Sequence, residues 1–128
     1  MSNQGKKTVL FLDDHVFWSN EIIEYLRDDM ELDVYYAESY SEAVALVNKH
    51  KSFDMSILDV ILQNGKTGLL FAENFKSKLG DIIFITGCND QSTKIALENY
   101  KHIHKLDNIW DALNEFIENN IKEKCLKK

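Results

Sequence analysis

The sequence predicts an α/β fold: a doubly wound, five-stranded parallel sheet flanked by five helices. Three observations carry that expectation. Short apolar runs lack polar alternation, segments with helical spacing separate them, and acidic, hydroxyl and basic residues directly follow the runs.

The clearest runs are Val9-Leu10-Phe11-Leu12, Met55-Ser56-Ile57-Leu58 and Ile82-Ile83-Phe84-Ile85. Continuous apolar runs of this length fit strands covered on both faces. Leu32 to Ala37 and the short His102-Ile103-His104 are the remaining strand candidates. Between them, Phe17 to Met30 carries Ile22, Ile23, Tyr25 and Leu26 at helical spacing. Ser39 to Lys49 opens with the capping-box pair Ser39 and Glu42. Thr67 to Leu79 and Gln91 to Tyr100 supply two further helices. The last helix has Asp107 as a cap and a stripe of Trp110, Leu113, Ile117 and Ile121, read as core packing.

Bulk composition limits the function classes. At 128 residues and 45% hydrophobic content the chain suits one domain, expected over residues 7–122, with loosely held ends at 1–6 and 123–128. A net charge of −6 argues against direct nucleic-acid binding, which depends on cations neutralising phosphates. Cys88 and Cys125 have neither disulfide nor metal-ligand spacing, so reduced thiols and a cytoplasmic location are expected. The polar start lacks a secretory pattern, and no apolar run approaches the roughly 20 residues that span a bilayer, so no membrane partner is expected.

The chemistry collects at the run ends. Asp13 and Asp14 follow the first run, Asp59 the third, Thr86 the fourth and Lys105 the fifth. In open α/β sheets, sites form outside the carboxyl ends of the strands, so these residues should converge on one pocket. Carboxylates brought together repel and need a cation. With no His or Cys in the set, an all-oxygen site favours magnesium. Lys105 and Thr86 add a positive charge and a hydroxyl, which together with a metal fit the oxygens of a transferring phosphoryl group. Asp59, ionised near neutral pH, could attack phosphorus without a general base.

These residues resemble the receiver domain of response regulators. The likeness runs from about Lys7 to Lys122 and rests on Val9-Leu10-Phe11-Leu12-Asp13-Asp14, Ile57-Leu58-Asp59, Ile85-Thr86-Gly87 and Lys105. It implies a flavodoxin-like strand order of 2-1-3-4-5, a known property of that class and not a reading of these residues. It also implies Asp59 as the phosphoacceptor, Asp13 and Asp14 as the magnesium-holding pair, and the backbone carbonyl of Ile61 as a further ligand. Thr86 becomes the switch hydroxyl, Gly87 the small residue beside it, and Lys105 the partner of the phosphoryl oxygens. His102 stands where the family has a switch aromatic, Leu106 follows the lysine where a cis proline is usual, and the loop from Val60 to Gly68 lacks the common proline.

The implied activity is phosphorelay: Asp59 accepts a phosphoryl group from a histidine kinase, a phosphotransfer protein or a small phosphodonor. The change should reach the segment from Asn89 to His104 and alter binding to an effector or output domain, or homodimerisation. It is not a conventional turnover enzyme. Ile61 and Cys88, flanking the approach of water, orient it poorly, so slow loss of phosphate is expected. The competing readings are a phosphorylation-independent scaffold, a haloacid-dehalogenase-like phosphatase and a flavodoxin-like electron carrier. The phosphatase pattern needs a second Asp where His15 stands, and Asp13-Asp14 would repel a flavin phosphate. A metal site of His15, His102 and His104 is a further alternative.

Overall fold

The computed structural model describes residues 6–62, 67–87, 91–105 and 108–126, with side chains as far as Ile121. The elements run β1 (Thr8–Leu12), α1 (Val16–Glu24), β2 (Asp33–Ala37), α2 (Tyr40–His50), β3 (Met55–Asp59), α3 (Gly68–Phe75), β4 (Asp81–Thr86), α4 (Gln91–Leu97), β5 (Lys101–His104) and α5 (Ile109–Leu126). All strands pair in parallel, in the order β2-β1-β3-β4-β5. The expected doubly wound sheet and its strand order are both present.

Strand periodicity explains the two cores. Val9, Phe11, Met55, Ile57, Ile83, Ile85 and Ile103 face one side, where α1 and α5 cover them with Ile22, Leu113 and Ile117. Leu10, Leu12, Leu58 and Phe84 face the other, against Ala43, Val47, Phe71 and Leu97 of α2, α3 and α4. Because helices cover both faces, the strands need no polar alternation, which is why the runs read as continuous.

Several element ends differ from the sequence reading. The first helix leaves regular α geometry at Tyr25 and continues to Asp29 as a π-helical turn, closed by Met30 N–H donating to Tyr25 O at 3.2 Å. This wider turn keeps Leu26 fully buried while Leu32 N–H donates to its carbonyl at 2.9 Å, leading into β2. Thr67 caps α3 from outside, and α3 tightens into a 3-10 turn over Lys76–Lys78. The expected stripe on α5 holds at Leu113, Ile117 and Ile121, which pack on the core, and fails at Trp110. Ile109, Leu113, Phe116 and Ile117 point inward, whereas Trp110 is 37% exposed and lies edge-on to Tyr25 on the flank. Asn108 caps this helix, its Oδ1 accepting from Asp111 N–H at 3.3 Å, while the expected cap Asp107 lies outside the described residues.

The α2 capping box is present in altered form. Ser39 Oγ accepts from Glu42 N–H at 3.1 Å, and Glu42 Oε1 accepts from Glu38 N–H at 2.8 Å. Glu38 follows the last residue of β2, so its N–H has lost the strand ladder and is free to take the carboxylate. Ser39→Ala should cost about 1 kcal/mol in urea unfolding with an unchanged denaturant slope. A change below a few tenths of that would show the cap is energetically silent.

Candidate functional site

The site is built by chain extensions just beyond the strands. Asp13 N–H donates to Ala37 O at 3.1 Å, prolonging the β1–β2 ladder by one bond. Tyr36 OH donates to the Asp13 carbonyl at 2.6 Å, and the Asp13 side chain is fully buried. Its Oδ1 accepts His15 N–H at 2.7 Å, turning the chain into α1. On the next strand, Asp59 ends β3 and is 3% exposed. Val60 N–H continues that ladder to Ile85 O at 3.0 Å, and Gly68 N–H donates to Val60 O at 2.8 Å. Gly68 cannot be replaced freely, since a Cβ there would collide with the Asp59 carbonyl. The start of α3 therefore closes directly on the backbone that carries the acid.

Lys105 comes from the far side. Its N–H donates to Thr86 O at 2.8 Å, extending the β4–β5 ladder past His104. Its ammonium reaches back to Asp59 Oδ2 at 3.2 Å and Asp13 Oδ2 at 3.5 Å. The same ammonium lies 4.6 Å from the centre of the Trp18 ring, a cation–π contact that holds the stem over the pocket. Thr86 is buried at the end of β4, one residue past Ile85, the register partner of Asp59. Ile61 donates its N–H to Asp59 Oδ1 at 3.4 Å, and its side chain is 45% exposed. A cavity of about 400 Å³ opens here, lined by His15, Trp18, Asp59, Ile61, Gly87 and Lys105. A Cβ on Gly87 would meet Lys105 Cδ at an ordinary 3.8 Å, so sterics alone would allow alanine there.

Electrostatically the site is short of positive charge. Among the described residues, Asp13, Asp14 and Asp59 stand against the ammonium of Lys105. Burial, and next the charge of Asp13, push the Asp59 carboxyl up to about 6 from 3.8, against the lowering effect of Lys105. Asp13 Oδ2 and Asp14 Oδ1 are buried carboxylate oxygens that accept no hydrogen bond among the described residues. Buried acceptors of that kind fit a cation with vacant coordination positions.

Two residues of the site escaped the sequence reading. From sequence, His15 reads only as a mismatch to a phosphatase pattern or as a partner of His102 and His104. Its Nδ1 lies 3.2 Å from Asp13 Oδ1, 3.1 Å from Asp14 Oδ1 and 3.8 Å from Asp59 Oδ2. Among the described residues, Asp13, Asp14, His15 and Asp59 bring potential ligand atoms within 4.8 Å of one another. Among the described residues, no such group joins His15 to His102 or His104. The position of His15 beside Asp14 at a strand end was the available signal. Trp18, three positions further along α1, gave none beyond helical spacing.

His102 lies apart from this pocket. It is exposed on β5, with Nδ1 3.0 Å from Tyr100 O, and it borders a hollow shared with Ala112 and Phe116 of α5. Leu106 and Cys88 lie outside the described residues, as does the loop over residues 63–66.

A parallel sheet in this order, with acids at two adjacent strand ends and a lysine returning from the edge strand, defines a receiver-type α/β domain. The family model described as response regulator receiver domain matches residues 9–107, and the chain belongs to that family. A comparison with curated protein sequences finds no match. Among solved structures, a CheY-like receiver domain protein from Methanospirillum hungatei JF-1 superposes with a TM-score of 0.79 at 19% identity, covering 94% of this chain and 98% of that one. The receiver domain of a modulated diguanylate cyclase from Desulfovibrio desulfuricans G20 gives 0.78 at 23%, covering 96% and 99%. Chemotaxis protein CheY4 from Vibrio cholerae gives 0.72 at 21%, covering 90% and 98%. At these identities the superpositions speak for the fold. The chain is thus a receiver domain of two-component signalling, and no described helix is long and apolar enough to cross a membrane.

Proposed function

We propose that this receiver accepts a phosphoryl group on Asp59 with magnesium held by the neighbouring acids. The observation that carries the reading is Asp59 itself. It is buried at the end of β3, opens onto the cavity, and has Lys105 Nζ 3.2 Å from one carboxylate oxygen. Asp13, Asp14 and Asp59 would hold the ion through carboxylates and Ile61 through its carbonyl. When bound, magnesium supplies charge that offsets the phosphoryl oxygens and the crowded acids.

The donor is a phosphohistidine of a kinase or phosphotransfer protein. An Asp59 carboxylate oxygen attacks phosphorus, a P–O bond forms, and the P–N bond breaks with its electron pair going to the imidazole. A small phosphodonor reacts likewise, its own leaving group taking the pair. Lys105 then pairs with the new phosphoryl oxygens, and Thr86 donates its hydroxyl to them. Phe17, 92% exposed between the cavity-lining His15 and Trp18, offers an apolar contact for the donor protein. Movement of Thr86 and Lys105 biases the segment from Asn89 to His104, with Gly87 and His102 as switch positions, toward a form that binds an effector or a second copy. The setting is cytoplasmic. Ile61 and Cys88 carry no carboxylate or amide that could orient a water, so the phosphoryl group leaves slowly.

The test is incubation with acetyl phosphate, with and without magnesium, followed by intact-mass measurement and site mapping. One added phosphoryl group on Asp59, dependent on magnesium, is expected. Failure to label at millimolar donor and magnesium, or labelling that ignores chelation, would remove the reading.

A further inference from the structure

We infer that His15 is a nitrogen ligand to the cation held by this pocket, giving the site a preference for nickel-like or zinc-like ions over magnesium. The inference rests on the cation-site reading above and adds a donor that the all-oxygen set lacks.

The geometry around one atom carries it. His15 Nδ1 lies 3.1 Å from Asp14 Oδ1, 3.2 Å from Asp13 Oδ1, 3.8 Å from Asp59 Oδ2 and 3.2 Å from Lys105 Nζ. An imidazole nitrogen presents either a proton or a lone pair. With a proton, Nδ1 suits the carboxylates but opposes the ammonium, itself a pure donor. With a lone pair, it suits the ammonium but confronts two carboxylate oxygens. No tautomer satisfies the whole neighbourhood. A divalent ion among these atoms takes the nitrogen lone pair and the carboxylate oxygens together, leaving the ammonium to its own partners Asp59 Oδ2 and Asp13 Oδ2.

The spacing agrees. Two ligand atoms at right angles about an ion, each about 2.1 Å away, lie about 3 Å apart. The separations to Asp13 and Asp14 match that value closely, and Asp59 needs only a small movement. A second observation points the same way: Oδ2 of the fully buried Asp13 accepts no hydrogen bond among the described residues, with the Lys105 ammonium standing off at 3.5 Å. His15 is also held from behind, its N–H donating to Asp13 Oδ1 at 2.7 Å, so the ring starts from a fixed backbone. Its side chain is 60% exposed, which leaves the ring free to adjust and makes a folding defect on truncation unexpected.

Donor chemistry then sets the preference. Oxygen ligands suit magnesium, whereas imidazole favours nickel and zinc, and affinity of mixed sites rises along the divalent series toward copper. The untagged 128-residue chain and its His15→Ala variant should be titrated calorimetrically with Mg2+ and Ni2+. The wild type should bind Ni2+ about 100-fold or more tightly than Mg2+, and that ratio should fall about tenfold or more in the variant. Mn2+ bound to the wild type should show coupling to an imidazole nitrogen in pulsed electron paramagnetic resonance, absent in His15→Ala. An unchanged ratio, or nitrogen coupling that persists in the variant, overturns the inference. Magnesium binding with no His15 dependence for any ion would leave the proposed magnesium site standing and remove the ligand. Histidine-dependent nickel binding without magnesium binding would do the reverse.

Discussion

Asp59→Asn should abolish magnesium-dependent phosphoryl acceptance, lowering covalent incorporation from acetyl phosphate by at least about 100-fold. The substitution removes the attacking carboxylate but leaves an amide oxygen that can still accept from Lys105, 3.2 Å away. Position, more than acidity, singles out Asp59. Asp13 is fully buried and does not line the cavity, so no donor reaches it. Asp14 is 9% exposed at its side chain and also lies outside the cavity lining, whereas Asp59 borders that space with the lysine beside it. Intact-mass measurement after incubation checks the result, with circular dichroism confirming that the variant is folded. A phosphoryl group appearing on Asp13 or Asp14 of the variant, at a rate near that of the parent, would defeat the assignment.

The residues that could be placed from sequence are those whose environment follows from strand ends. Asp13, Asp59, Thr86 and Lys105 each terminate or follow an apolar run, and the ladder extensions at Asp13, Val60 and Lys105 carry them to one rim. The two faces of the core were legible for the same reason, since continuous runs such as Ile83-Phe84-Ile85 imply helices on both sides. His15 was not legible as a pocket residue. Its Nδ1 meets the acids because Asp13 captures its N–H and bends the chain (φ −99°, ψ 86°), a local turn that no periodicity records. The π-helical turn at Tyr25–Asp29 was hidden because helical spacing cannot show where one residue is added to a turn. Trp110 misled through sheer size: at the start of α5, Ile109 takes the inward position and the larger ring lies on the flank. The need for glycine at residue 68 depends on how closely α3 meets the Asp59 backbone, which is a tertiary distance.

The second large effect expected is a pH-dependent stability gap between Asp59→Asn and the parent. The Asp59 carboxyl is raised to about 6 in the folded chain from 3.8, chiefly by burial and then by the charge of Asp13. Between those values the folded state keeps a proton that the unfolded state has released. More protons bound when folded means stability falls as pH rises through the window. The contribution is fully present below 3.8 and is lost once pH passes about 6. At about 1.4 kcal/mol per unit, the ionised acid costs the parent roughly 3 kcal/mol near neutrality. Asparagine carries no such charge, so the variant should exceed the parent by roughly 2–3 kcal/mol at pH 7.5 and by little at pH 4. Taking the difference between the two proteins at each pH cancels the titration of distant acids. Urea unfolding across that range, without divalent ions, is the measurement. Magnesium should then close the gap from the parent's side, because an ion at about 100 times its Kd adds about 2.7 kcal/mol. A gap that stays constant from pH 4 to 7.5 would mean the buried charge is not what destabilises the parent. Closure by magnesium would tie the stability of this domain to the pocket proposed to receive its phosphoryl group. The same crowding of acids would then both weaken the fold and recruit the ion.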